Sequence, residues 1–242
     1  MIPLVATNGI TLIEQPGLIN FLYDNNATIT IKIRSFDKKF QDAIVKREWY
    51  TDERDKALSL LVEKGFNQTT PTRLMANILA NNYTEDILNI YKWCREKNII
   101  PEVADYLELG QTKGGKLENF SIIQNNPSLT EEEKKIYLQR LQPLTYEQKV
   151  KLMQDTIAID KEFWIKRNID EPCAYYNGMF CTQGMGALID ERGYLYHCVG
   201  TEKIIGNIKE NTLEELYYTM EMKENVRNLS GCPYKEFFRN VK

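Results

Sequence analysis

The chain has 242 residues, with 31 Lys and Arg against 34 Asp and Glu and a net charge of −3. That length suits one large domain, or one domain with a small appendage, and the acidic balance speaks against nucleic acid or an anionic membrane surface as an obligatory partner. The apolar runs fall far short of the roughly 20 residues of a membrane span, Met1–Thr7 lacks the basic region and apolar core of a secretory signal, and five cysteines without such a signal point to reduced thiols in a cytoplasmic protein.

The first hundred residues alternate between strand-like and helix-like segments. Pro3–Thr7 reads as a short buried strand closed by the turn pair Asn8-Gly9. Ala27–Arg34 has period 2, with Ile29, Ile31 and Ile33 on one face and Thr28, Thr30 and Lys32 on the other. Asp52–Lys64 reads as a helix with an Ala57, Leu58, Leu61, Val62 stripe and Gly65 as its stop. Thr69–Leu79 holds a further strand. Thr84 then caps a helix whose apolar positions Ile87, Ile90, Tyr91 and Cys94 follow the helical period, which makes Cys94 a packed, inert thiol. Ile99–Leu109 reads as one more strand, ending at Gly110. Such alternation implies parallel strands joined by crossover helices, the α/β class.

Residues 117–168 are helical and polar. Thr130 with Glu133 and Thr145 with Gln148 have the spacing of capping boxes, in which the threonine accepts from an orphan amide and the acid or amide reaches back. Further on, 187–190 and 194–198 read as two strands, with Gly193 in the turn where a positive φ is wanted. Thr212 with Glu215 is a third capping box, opening a helix with Leu213, Leu216, Tyr217 and Met220 inward.

Four of the five cysteines crowd the last third: Cys173, Cys181, Cys198 and Cys232. Thiolates are soft ligands that suit zinc or an iron–sulfur cluster. Zinc sites favour tight Cys-x-x-Cys knuckles, whereas the spacings here are 8, 17 and 34 residues. The hairpin between Cys181 and Cys198 brings those two together, which makes them the leading ligands. Cys232 and Cys173 follow as third and fourth. His197, the only histidine, alternates to the face opposite Cys198 and reads as a packed or surface side chain.

Cys181, Gly193-x4-Cys198, Gly206-Asn207-Ile208 and the capped helix together resemble the auxiliary-cluster region, SPASM or the shorter twitch, of radical S-adenosylmethionine (SAM) proteins. The upstream part is similar as well. Thr7-Asn8-Gly9 resembles the end of that family's third barrel strand, Ser35-Phe36-Asp37 its fourth-strand Ser-x-Asp, and Tyr106–Gly110 its sixth strand. The resemblance implies an incomplete radical SAM (β/α)6 partial barrel, strands 3–6, over residues 1–115. It further implies a helical connector over 116–169 and a small α+β iron–sulfur module over 170–242.

An auxiliary [4Fe-4S] cluster on the cysteines and SAM are the implied cofactors. Ser35 is the implied SAM contact; Thr7, Asn8 and Arg73, near predicted strand ends, are further candidates. The family's Cys-x3-Cys-x2-Cys and Gly-Gly-Glu-Pro segments have no counterpart here, and no cysteine precedes Cys94. The expectation is therefore the C-terminal portion of a radical enzyme acting on a peptide, protein or small molecule and unable to cleave SAM alone. Its counterpart would be a separate N-terminal radical SAM half, or a second copy paired through the Pro3–Thr7 strand edge. The alternatives are a non-catalytic binding module descended from such an enzyme and a zinc-stabilised structural domain.

Overall fold

Four segments of the first hundred residues pair side by side in the order in which they are made. In the computed structural model, which describes residues 3–104, 118–166, 188–190, 192–196 and 204–218, strands β1 (Leu4–Thr7), β2 (Thr28–Lys32), β3 (Leu74–Leu79) and β4 (Ile100–Ala104) form a parallel sheet in the order β1-β2-β3-β4. Between them run α1 (Ile10–Glu14) and α2 (Gly17–Asp24), then α3 (Lys38–Val45) and α4 (Tyr50–Lys64), then α5 (Thr84–Glu96). Strand order that follows chain order has no reversal point, so right-handed crossovers place successive helices on one face of the sheet.

The register confirms this one-sidedness. Val5, Ile29 and Leu74 are partners across the sheet, as are Ile31 with Ala76 and Ile78 with Val103. All of them belong to, or pack against, one apolar core with Leu12, Leu22, Leu61, Ile87 and Ile90 from the helices. The alternate residues therefore point the other way.

Local chemistry sets the element ends. Gly9 sits at φ 91°, and a Cβ there would lie 2.8 Å from the Ala57 Cβ, so the turn after β1 needs glycine to bring α1 against α4. Asp37 caps α3 by accepting from the Phe40 amide, and Gly65 at φ 95° ends α4. Thr84 is the first helical residue of α5 rather than its cap. Tyr83 holds the cap position without a side-chain cap bond, and its own amide is taken by the Asn81 side chain, which fixes the turn into the helix. Strand β2 is shorter than the period-2 run, because the chain turns after Ile33 to lay Arg34 and Ser35 against Gln41.

The polar middle of the chain forms α6 (Glu118–Gln124), α7 (Glu131–Arg140) and α8 (Tyr146–Glu162), and α7 and α8 both open on complete capping boxes. These helices pack on the helices of the sheet layer, α6 against α3 and α8 against α5. Leu129, Tyr137 and Leu141 join Phe40, Ala43 and Ile123 in a second apolar cluster, while Leu152 and Met153 of α8 enter the main core. Tyr91 and Arg95 of α5 meet the fully buried Asp160 of α8. The Tyr91 hydroxyl donates to its carboxylate at 2.9 Å and Arg95 Nε at 2.7 Å. At the end of α7, Arg140 reaches Asp37 Oδ2 at 2.6 Å, stacks 3.9 Å over the Tyr83 ring, and offers its carbonyl to the Asn82 amide.

The last described segments are β5 (Leu188–Ile189), β6 (Tyr194–Tyr196), β7 (Ile204–Asn207) and α9 (Leu213–Tyr217), with the strands antiparallel in the order β5-β6-β7. Gly193 has φ 92°, and a Cβ there would lie 2.8 Å from Asn207 Oδ1; its carbonyl accepts from the Ile208 amide. A Cβ on Gly206 would lie 2.5 Å from Leu216 Cδ2 of the capped helix α9. Gly193 and Gly206-Asn207-Ile208 are thus one packed turn. Among the described residues no helix is long and apolar enough to cross a membrane.

Candidate functional site

The face of the parallel sheet opposite the helices carries a polar row. Lys32, Asn77 and Glu102 are register partners on β2, β3 and β4, one residue from each strand at the same level. Parallel sheets are ordinarily apolar on both faces, so three polar side chains in register make this row the candidate site. Asn77 Nδ2 donates to Glu102 Oε2 at 3.0 Å. With strands about 4.8 Å apart, Lys32 and Glu102 stand roughly 10 Å apart across Asn77. Below the row on the same face lie Thr30, Met75 and Ile100; Lys32 ends β2, the strand end where ligands of α/β proteins bind, while Asn77 and Glu102 lie near the middle of β3 and β4.

The electrostatics follow from this placement. Burial holds the Glu102 carboxyl above the usual carboxylate range, and the Asn77 hydrogen bond only partly offsets it. Lys32 is exposed at the end of its strand, yet desolvation by the surrounding sheet face, and then the Arg34 cation, hold its ammonium below the usual lysine range. A ligand supplying a cation at the Glu102 end and an anion at the Lys32 end would restore both charged forms. Without ligand, a raised carboxyl costs stability above its folded pKa, and that cost disappears as pH falls to the ordinary value. Glu102→Gln is therefore expected to stabilise the protein at pH 7.5, with the gain vanishing near pH 4.5. Urea denaturation at the two pH values measures the difference. An equal effect at both would place Glu102 in water.

The strand ends above the row are built by backbone capture. Ser35 is fully buried; its hydroxyl donates to Asp86 Oδ2 of α5 at 2.5 Å and accepts from the Asp37 amide. It thus stays on the isoleucine side, as strict alternation requires. Burial raises Asp86, against the Ser35 and Phe36 hydrogen bonds. Arg54, buried in α4, donates to the Ser35 carbonyl at 3.1 Å and to Gln41 Oε1 at 3.2 Å. Gln41 Oε1 also takes the Arg34 and Ser35 amides, while Gln41 Nε2 is buried with no partner among the described residues.

Thr7 and Asn8 lie at the C-terminal end of β1. Thr7 Oγ1 accepts from the Gly9 amide and Asn8 Oδ1 from the Ile10 amide. The structure thus brings Thr7, Asn8 and Ser35 to one edge of the sheet. Arg73 does not join them. It precedes β3 at the opposite edge, where its guanidinium stacks 4.2 Å over Tyr23 and donates to the Tyr23 carbonyl. Lys32 was visible in the sequence as a polar-face residue. Asn77 and Glu102 were not, because their meaning depends on register.

Cys173, Cys181, Cys198, Cys232, His197 and Tyr106–Gly110 lie outside the described residues. Cys94 is buried as its helical position predicted, and burial pushes its thiol up, away from the reactive thiolate. Pairing of Leu188 with Tyr196 puts the entry to β5 and the exit from β6 at the same end of the hairpin. Cys181 precedes the one and Cys198 follows the other in sequence. Among the described residues no group of three or more His, Cys, Asp or Glu side chains is placed to hold a metal ion. No protein-family model matches this chain, and no curated protein matches its sequence.

Proposed function

We propose that the chain is the C-terminal portion of a radical SAM iron–sulfur enzyme that modifies a peptide, a protein or a small molecule. The observation that carries this reading is the sheet, with parallel strands in chain order, a single helix-packed face and a polar row on the other. The row suits the amino-acid end of SAM: Glu102 and Asn77 match an ammonium group, Lys32 and Arg34 a carboxylate. The turn that joins Gly193 to Gly206-Asn207-Ile208 supports the resemblance in the last third, since Gly193 holds a positive φ and Gly206 lies close under Leu216.

Cys181 and Cys198, with Cys232 and Cys173, would hold an auxiliary [4Fe-4S] cluster. When bound, such a cluster binds substrate or passes an electron. The Cys-x3-Cys-x2-Cys loop is not among these residues, so they are expected not to cleave SAM alone. The end position of β1 in the described sheet supports strand pairing to an N-terminal half or to a second copy.

The test is anaerobic reconstitution with iron and sulfide. The expected result is a brown protein with charge-transfer absorbance near ~400 nm and about four irons per chain, lost in Cys181→Ala/Cys198→Ala. Reduced protein with SAM is expected to yield no 5′-deoxyadenosine. Colourless protein that retains zinc would overturn the cluster, and turnover by these residues alone would overturn the division of labour.

A further inference from the structure

Charge on the open face of the parallel sheet is confined to the polar row and the strand end beside it. Glu102 on β4 and Lys32 on β2 are the ionisable side chains that the described strands place on that face. The neutral amide of Asn77 stands between them, and the Arg34 cation acts on Lys32 from just beyond the end of β2. On β3 and β4 the flanking positions are apolar: Leu79 and Ala104 on the C-terminal side of the row, Met75 and Ile100 on the N-terminal side. Leu79, Ile100 and Ala104 are half-buried. One carboxyl and one ammonium on an otherwise apolar surface suit a small ligand with one positive group, one negative group and an apolar remainder.

The spacing sets how far apart those groups lie. Glu102 and Lys32 stand on strands two apart, roughly 10 Å from each other. An α-amino acid holds its nitrogen and its carboxyl carbon about 2.5 Å apart. With a charge-assisted hydrogen bond of about 2.8 Å at each end, that group spans the interval over Asn77. Asn77 Nδ2 donates to Glu102 Oε2 at 3.0 Å, which orients the carboxyl and sets the amide carbonyl beside it as a second acceptor for an ammonium. Lys32, exposed at the end of β2, meets a carboxylate from the solvent side.

We propose that the row binds the α-ammonium and α-carboxylate of an amino acid with an apolar side chain. The ammonium lies on Glu102 and Asn77, the carboxylate on Lys32, and the side chain on the apolar positions that flank the row. A dicarboxylate would face Glu102 with a like charge, and a diamine would do the same to Lys32. The proposal rests on the SAM reading in taking the same row, and goes beyond it in needing no adenosyl group.

Binding at this row moves a proton. Burial holds the unliganded Glu102 carboxyl above the usual carboxylate range, and the charges facing it across the row are Lys32 and Arg34. An incoming ammonium favours the carboxylate, so the carboxyl proton leaves to solvent. Affinity therefore rises with pH from the ordinary carboxyl value of 4.5 up to the folded value of Glu102, and levels off above it.

The probe is L-methionine, titrated into the full 242-residue chain by isothermal calorimetry in two buffers of different ionisation enthalpy. Saturable binding is expected, tightening between about pH 4.5 and about pH 7.5 with release of a proton. Glu102→Gln, itself expected to be the more stable protein at about pH 7.5, should weaken binding about ten-fold there and abolish the proton release. Lys32→Met, at an exposed position, should weaken it about three-fold and keep the release. The methionine analogue without the amino group should bind at least about ten-fold more weakly. No saturation by about 10 mM methionine, proton release that survives Glu102→Gln, or equal binding of the analogue would overturn the proposal. SAM titrated in the same way separates the two readings. Methionine held through Glu102, with SAM bound no tighter, would support the amino-acid site and overturn the SAM reading. SAM bound with unchanged affinity and pH dependence in Glu102→Gln would overturn the amino-acid site and leave the SAM reading in place.

Discussion

Asp160→Ala is expected to lower folding stability by about 3–5 kcal/mol, the cost of breaking a buried ion pair by removing one partner. Asp160 is fully buried and the Arg95 side chain is only 12% exposed, so the guanidinium would be left without its carboxylate in a site that excludes most water. Tyr91, also fully buried, would lose both oxygens to which its hydroxyl donates. The triad fastens α8 to α5, so the damage should spread through that contact. Asp160→Asn keeps an acceptor and should cost less, about 1–3 kcal/mol. The double replacement Asp160→Leu/Arg95→Met removes both charges and should recover most of the loss. Urea denaturation of the three variants checks the order. If the double replacement is as unstable as Asp160→Ala, packing rather than the stranded charge sets the cost.

Arg54→Ala is expected to cost about 2–4 kcal/mol, combining the cavity left by a long buried side chain with an orphaned acceptor. Arg54 is 1% exposed and binds the Ser35 carbonyl, Gln41 Oε1 and Asp55. Gln41 keeps its two backbone donors, but the Ser35 carbonyl loses the guanidinium. Arg54→Lys preserves the charge without the fork that spans Ser35, Gln41 and Asp55, and should fall between the two. Because this corner ends β2 just beyond Lys32, Arg54→Ala should also weaken any ligand of the polar row. Measured binding that survives unchanged in a destabilised Arg54→Ala would separate the corner from the site.

Much of the architecture is legible before any coordinates. The period-2 isoleucines of β2, the stripe of α5 and all three capping boxes are local signals, set by neighbours three or four residues away, and each appears in the fold. The short helices α1, α2 and α3 carry no clear signal in the sequence, because five to eight residues give too few turns for a stripe. Thr84 is not the cap because Asn81 holds the Tyr83 amide and turns the chain so that the helix starts at Thr84 itself, with no side-chain cap bond. The polar row was half visible: Lys32 stood out on a regular strand, whereas Asn77 and Glu102 become partners only through pairing between strands far apart in sequence. Ser35 shows the converse, since the resemblance implied a ligand contact there and its hydroxyl is committed to Asp86.

Arg140 joins the end of α7 to the start of α3 through Asp37 and to the start of α5 through Tyr83 and Asn82. These are the loops that follow β2 and β3, at the edge where the polar row lies. Native-state hydrogen exchange should therefore find one cooperative opening unit here rather than independent loops, with the Asn82 amide exchanging no faster than the Arg140 turn that holds it. A ligand that quiets this edge would protect amides in α7 as well, and the helical segment between the two sheets would report occupancy of a site it does not line.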